Sequence, residues 1–212
     1  MRLTVFGATG GTGIELVRQA LEEGNDVTAV VRDRARLAVS GHERLRVVTA
    51  DATDPVAIAP AVEGADAVVS SLGHRGGGPA TICADGTRAI IEAMGKQGVR
   101  RLLVVSAAGL VADRGDGLFV RYVVKPMILQ PLLKNGFADK RHCEDDVRAS
   151  DLDWTIVRPP RLTGKKATGR YRTATDVGLR GGRTISRADL AAGLLGLLAD
   201  DSVVHHHVSI AY

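Results

Sequence analysis

Short β-branched runs alternate with longer amphipathic stretches along most of the chain. Arg2–Phe6, Asp26–Val31, Leu45–Thr49, Ala67–Ser70, Arg101–Ser106 and Trp154–Val157 read as strands, being rich in Val, Leu and Ile and too short for helices. Gly13–Glu23, Val56–Val62, Thr81–Lys96, Asp139–Ser150 and Arg187–Ala199 read as the helices that follow them. Gly24-Asn25 and Gly98 stand where helix C-caps belong. No repeat or low-complexity linker breaks the series. Strands alternating with helices predict an α/β fold, a doubly wound parallel sheet with helices on both faces. The pattern is expected to form a single domain over residues 1–212, with small C-terminal elements on the substrate side. Right-handed crossovers then order the six strands 3-2-1-4-5-6, and ligands of such sheets lie in the crevice outside the strands' carboxyl ends.

Chemistry is therefore sought at those ends. Gly7-Ala8-Thr9-Gly10-Gly11-Thr12-Gly13 follows the first strand directly and opens a helix. Gly7, Gly10 and Gly13 permit a tight turn, close approach of backbone to a pyrophosphate, and close helix–strand packing. The helix start supplies aligned N–H donors, so the whole turn, Thr9, Gly11 and Thr12 included, is assigned to a dinucleotide. The sheet is thus expected to be Rossmann-type, and the GxxGxxG spacing points to the short-chain and extended dehydrogenases. NAD enzymes place an acid at the end of the second strand to hold the ribose 2′-hydroxyl, and here Arg32 stands there, followed by Asp33, Arg34 and Arg36. Arg32, aided by Arg34 or Arg36, suits a 2′-phosphate, which predicts NADP(H). The alternatives are a solvated basic turn, or Asp33 in the acidic role. Asp51-Ala52 is placed to meet the adenine, and Ser71-Leu72-Gly73-His74-Arg75 to lie near the nicotinamide. Gly76-Gly77-Gly78-Pro79 reads either as a lid or as a plain loop.

Composition narrows the partners. The 212 residues are 45% hydrophobic, enough for one well-buried domain. No apolar run approaches the ~18 residues of a spanning helix, and no basic leader or cleavage site precedes the first strand, so a cytoplasmic protein without a membrane partner is expected. Cys83 and Cys143 lack metal-ligand spacing and read as reduced packing residues. His205-His206-His207 runs into the alternation Val208-Ser209-Ile210, where neighbouring side chains face opposite sides, and no metal site is expected. The net charge is +4, with 22 of the 28 basic residues Arg. Between Arg158 and Arg187 nine basic residues meet one acid, Asp176, giving a local +8 and leaving −4 elsewhere. Only Tyr171 interleaves that segment, which speaks against nucleic acid and for an anionic small molecule.

Gly7-Ala8-Thr9-Gly10, Val31-Arg32-Asp33, Ala50-Asp51-Ala52, Val104-Val105-Ser106-Ala107 and Trp154-Thr155-Ile156-Val157-Arg158-Pro159 together resemble the atypical short-chain dehydrogenase/reductases with an NAD(P)H-binding, NmrA-type domain. The resemblance covers essentially the whole chain. Leu72-Gly73-His74-Arg75, Arg32 through Leu37, Pro159-Pro160-Arg161-Leu162, Thr168-Gly169-Arg170-Tyr171, Thr175-Asp176 and Ile185-Ser186-Arg187-Ala188-Asp189-Leu190 are most similar to its biliverdin-IXβ reductase/flavin reductase branch. That branch implies NADPH and hydride transfer to a planar conjugated acceptor: a flavin, a biliverdin-like tetrapyrrole or, by extension, a quinone. It also implies that Ser106 lies beside the nicotinamide and that Pro160 and Leu162 join the cofactor site.

The catalytic set is less regular. The Tyr-x-x-x-Lys pair, in which both side chains face the substrate, is missing: Lys140 falls at the Lys position, but Gly136 occupies the Tyr slot. Tyr122 and Lys125 have the wrong spacing. Arg161 replaces the branch's His after Pro-Pro; it suits an anionic acceptor but cannot act as an acid. Ser106, Lys140 and Arg161 are thus the catalytic candidates. Ala108–Phe137 reads either as a substrate wall or lid, or as a subunit-packing helix, leaving the oligomeric state open. The missing tyrosine also permits a second reading, a non-catalytic NADP(H) redox sensor of the NmrA type.

Overall fold

The computed structural model describes residues 1–74, 81–108 and 134–212. Arg75, Gly76–Pro79, Tyr122, Lys125 and nearly all of Ala108–Phe137 lie outside them. Strands β1 (Arg2–Phe6), β2 (Asp26–Val31), β3 (Leu45–Thr49), β4 (Ala67–Ser70), β5 (Arg101–Val105) and β6 (Asp153–Arg158) match the expected runs to within a residue. Three further strands were not expected, β7 (Arg161–Thr163), β8 (Arg172–Thr175) and β9 (Thr184–Ser186), while β10 (His206–Ala211) carries the alternation of Val208-Ser209-Ile210. The helices are α1 (Gly11–Glu22), α2 (Pro55–Val62), α3 (Ile82–Gln97), α4 (Lys134–Arg148) and α5 (Arg187–Leu198).

Among the described residues the main sheet has eight strands in the order β3-β2-β1-β4-β5-β6-β10-β8. The expected 3-2-1-4-5-6 order is present and continues through β10, parallel to β6, to an antiparallel edge, β8. Successive side chains of the parallel strands enter two different cores, as strands buried on both faces require. Leu3, Val5, Ala29, Val69 and Leu103 pack under α1 and α5. Phe6, Val30, Val68, Leu102 and Ile156 pack under α2, α3 and α4.

The helix ends follow local chemistry. Asp54 caps α2 by accepting from the Val56 and Ala57 N–H groups, and Gly98 ends α3 in the left-handed region at φ 68°. Arg101 reaches from the foot of β5 to the carbonyls of Leu197 and Leu198, so a cation closes the negative end of α5. No described helix is long and apolar enough to cross a membrane.

Two parts of the C-terminal third bear on the site. β7 and β9 pair in parallel as a separate two-stranded sheet, and β9 runs directly into α5. Asp189, fully buried in the first turn of α5, ties this region together. It accepts from the Thr168 and Gly169 N–H groups, the Ser186 hydroxyl and the Tyr212 hydroxyl. Burial opposes its ionisation, but these donors, Tyr212 foremost, hold its pKa at about 2. The histidine run is divided in its roles. His205 tilts against Trp154, whereas the Nδ1 atoms of His206 and His207 lie 2.5 and 3.1 Å from the Asp176 carboxylate.

Candidate functional site: a cleft at the carboxyl ends of β1 to β4

A cleft of about 370 Å³ opens where β1, β2, β3 and β4 end. At its centre the turn after β1 brings backbone rather than side chains to the surface. Gly7 has φ +74°, and a Cβ there would stand 2.6 Å from the Ser71 carbonyl oxygen. A Cβ at Gly13 would fall 2.2 Å from the Gly7 carbonyl oxygen, so this third glycine lets α1 pack against the turn and does not itself line the cleft. Helix α1 starts at Gly11 without a side-chain cap and without an acid in its first turn, in contrast to the capped α2 and α5. Its first N–H groups and the positive end of its dipole are thus available to an anion.

Charge is distributed along the cleft. Arg32 and Arg36 line it just past the end of β2, with Asp33. Asp33 spends a carboxylate oxygen on the Ala35 N–H, capping the turn Arg34–Arg36. Asp51 accepts from both the N–H and the hydroxyl of Thr53, which with the nearby Arg32 charge keep its carboxyl below the usual range despite some burial. The opposite wall comes from the small sheet and α5, through Leu162 and Arg187. The Arg187 side chain lies directly over Gly11, its Cδ 2.6 Å from where a Cβ would stand. A cation at the first position of a helix opposes that helix's dipole, and here a second helix start, that of α1, lies beneath it. The uncapped start of α1 with a guanidinium over it favours an anionic group such as a pyrophosphate.

Of the residues assigned to a cofactor from sequence, Gly7, Thr9, Gly10, Gly11, Thr12, Arg32, Arg36, Asp51, Ala52, Leu72, Gly73, His74 and Leu162 line the cleft. Ser106 and Pro160 lie outside its described lining. Ser71, expected near the nicotinamide, lines it too, and Arg187 and Ile82 line it without having been assigned. For Arg187 the sequence holds no comparable signal, because what it lies over, Gly11, is far away in the chain.

Ser106 extends β5, its N–H donating to the Val157 carbonyl. Its hydroxyl is buried and makes no hydrogen bond among the described residues, close to the carboxylate of Glu144. Glu144 is held by Arg158, at 2.9 and 2.5 Å, and by Arg148 at 2.7 Å. Burial opposes its ionisation, yet the Arg158 hydrogen bonds and charge keep the carboxyl below its ordinary range. Arg158 therefore belongs to the interior, and the basic segment that begins with it in sequence reaches the surface at Arg161. Lys140 donates to the Val105 carbonyl at 3.0 Å, and Arg161 is exposed on β7. Cys83 and Cys143 are buried, which pushes both thiols up, Cys83 to about 12.

A doubly wound parallel sheet with an uncapped, glycine-lined helix start at its carboxyl ends defines a dinucleotide-binding Rossmann protein. Residues 7–201 match the NAD(P)H-binding family, and the chain belongs to that family, within the NmrA-like atypical short-chain dehydrogenase/reductases. It is 32% identical over 177 residues to the chloroplastic Arabidopsis thaliana protein At2g34460, covering 79% of this chain and 61% of that one. The chain thus spans less than two-thirds of that relative's length. An NADP complex of a wide-type short-chain dehydrogenase/reductase from Veillonella parvula superposes with a TM-score of 0.83 at 20% identity, covering 100% of this chain and 94% of that one. The anaerobilin reductase ChuY from Escherichia coli O157:H7 gives 0.79 at 24%, covering 100% and 97%. At these identities the two structures speak to the fold.

Proposed function

We propose that the protein is an NADPH-dependent reductase that passes a hydride to a planar conjugated acceptor of the flavin, tetrapyrrole or quinone type. The observation that carries this reading is the set of charges that line the cleft: an uncapped helix start under Arg187, and Arg32 and Arg36 just past the end of β2. Asp33, the residue that could have favoured NAD, is engaged as the cap of its own turn. That leaves the arginines to a 2′-phosphate, for which their forked, charge-assisted donors are suited. When bound, NADPH supplies the hydride. The chain's part is to hold the nicotinamide at the ends of β4 and β5, near Ser106 and the Lys140-anchored Val105 carbonyl, and to exclude other reactions.

Kinship supports a reductase without naming its acceptor. A protein of similar fold is an anaerobilin reductase, and the biliverdin/flavin reductase resemblance points the same way. The exposed Arg161, Lys165, Lys166 and Arg170 beyond β6 suit an anionic acceptor. The reading takes residues 1–212 as one NAD(P)-binding domain acting in the cytoplasm on a small molecule, with neither nucleic acid nor membrane as partner. Purified protein mixed with NADPH and a panel of flavins, biliverdin and quinones is expected to bleach the near-ultraviolet band of the reduced nicotinamide, and NADH to serve poorly. Tight NADPH binding with no turnover on any acceptor would overturn the reductase reading in favour of the sensor.

A further inference from the structure

A buried hydroxyl without a hydrogen bond is costly, and Ser106 carries one: the residue is 5% exposed and its Oγ has no partner among the described residues. Strand register shows where it stands. Ser70 pairs with Val104 across β4 and β5, and two residues further along each chain come Leu72, which lines the cleft, and Ser106. On the other side Val105 pairs with Val157, so Ser106 lies next to Arg158. Val104 and Ile156, two positions earlier on the two strands, face the core under α4, and strand alternation turns Ser106 and Arg158 to that same side. There Glu144 of α4 holds Arg158 through both carboxylate oxygens, at 2.9 and 2.5 Å, and Arg148 at 2.7 Å. Burial opposes ionisation of Glu144, Arg158 outweighs it, and the Ser106 hydroxyl, though not hydrogen-bonded, lies close enough to act in the same direction as Arg158. An ionised carboxylate can only accept. Beside it the hydroxyl turns its proton toward Glu144, and the lone pairs of the oxygen remain for a ligand.

We infer that Ser106, oriented by Glu144, accepts a hydrogen bond from the carboxamide nitrogen of the nicotinamide, so that Glu144 is a positioning residue and the site selects dinucleotides that carry a carboxamide. The inference rests on the nicotinamide standing at the ends of β4 and β5, as in the reading above, and not on which substrate is reduced. A serine hydroxyl can donate or accept, and a carboxamide offers both a carbonyl oxygen and an NH₂ group. The anion beside Ser106 chooses between the two pairings. As an acceptor Ser106 fixes which way the carboxamide is turned, and with it the face of the ring that meets the substrate. Its proton, held by Glu144, is then not offered to the substrate. Arg158 and Arg148 enter through Glu144, which they keep ionised although it is buried. Lys140, one turn before Glu144 on α4, donates to the Val105 carbonyl and so steadies the backbone that carries Ser106.

The test is a binding measurement and needs no turnover. Titration calorimetry gives the dissociation constants of NADP⁺ and of its 3-acetylpyridine analogue, in which a methyl group replaces the carboxamide nitrogen. Relative to the wild type, the preference of Ser106→Ala for NADP⁺ over the analogue is expected to fall about tenfold. Differences between the two rings themselves cancel in that comparison. In Glu144→Gln the side-chain amide can donate to Ser106 and release the hydroxyl proton to the ligand, so the same preference is expected to fall by a similar factor, with no further fall when Ser106→Ala is added. A merely structural role of Glu144 would weaken both compounds together and leave the ratio unchanged. Gln leaves Arg158 with a neutral partner in the core, and Glu144→Gln with Arg158→Met, which removes the charge pair as a whole, replaces the single variant if that does not fold. An unchanged ratio in Ser106→Ala overturns the carboxamide contact. A ratio lost in Ser106→Ala but kept in the Glu144 variants overturns the positioning role. Protein that shows the expected ratios yet reduces no acceptor supports this inference and overturns the reductase reading alone.

Discussion

Replacing Arg32 by Ala separates the phosphate grip from everything else the cleft does. Arg32 stands at the carboxyl end of β2 and lines the cleft together with Arg36, so one of two candidate cations is removed. Hydrogen bonds to charged groups contribute roughly 1.5–3 kcal/mol. Two features of this site lower that figure. Arg32 is exposed, so solvent screens its charge, and part of its field already falls on Asp51. A loss of about 1.5–2 kcal/mol remains, a tenfold to thirtyfold rise in the NADPH dissociation constant. NADH has no 2′-phosphate, and its affinity is expected to change by less than about twofold. Titration calorimetry of both cofactors against both proteins, at one fixed low ionic strength, measures the difference. Equal weakening of NADPH and NADH, or no change in either, would refute the assignment of Arg32 to the phosphate and return Arg32–Arg36 to the status of a solvated turn.

Three further outcomes follow from the same geometry. Arg187→Ala is expected to weaken NADPH and NADH alike, by about tenfold, because the group beneath it is common to both. Thermal unfolding of the unliganded variant should not fall, since a cation at the start of α5 opposes that helix. Gly13→Ala drives a methyl group to 2.2 Å from the Gly7 carbonyl oxygen, and urea unfolding should show a loss of about 3 kcal/mol. Asp189 has its folded pKa depressed from 3.8 to about 2, so its contribution is present above about pH 4 and is lost as pH falls through 2. That contribution is roughly 2 kcal/mol, and the stability gap between wild type and Asp189→Asn, read from urea midpoints, should narrow from pH 5 down to pH 2.

Most of the cleft's floor was legible because it is made of consecutive residues. The Gly7–Gly13 turn, Arg32 after β2, Asp51 after β3 and Leu72 to His74 after β4 each sit directly at the end of a recognisable strand. The residues that hold or cover the floor were not legible in the same way. Asp139 read as the first residue of its own helix, but α4 begins at Lys134 and Asp139 caps a different helix, α3. Arg158 opens the basic segment in the sequence, whereas its position on β6 buries it against Glu144. The short strands β7, β8 and β9 are three or four residues long and partly polar, too brief for a period-2 pattern to show.

The sequence by itself determined the doubly wound order, the glycine turn and the basic residue after the second strand. Each of these depends on local periodicity or on a motif of a few neighbouring residues, and the chemistry of the backbone at those positions leaves little choice. Only the tertiary structure decided that Arg187 would lie over Gly11, 176 positions earlier in the chain, and that Asp139 would meet His74. The same holds for the fate of Ser106, whose hydroxyl ends up buried beside a carboxylate held by two arginines. Such pairs have no signature in spacing, because packing two helix layers against one sheet, rather than the run of residues, sets which side chains meet.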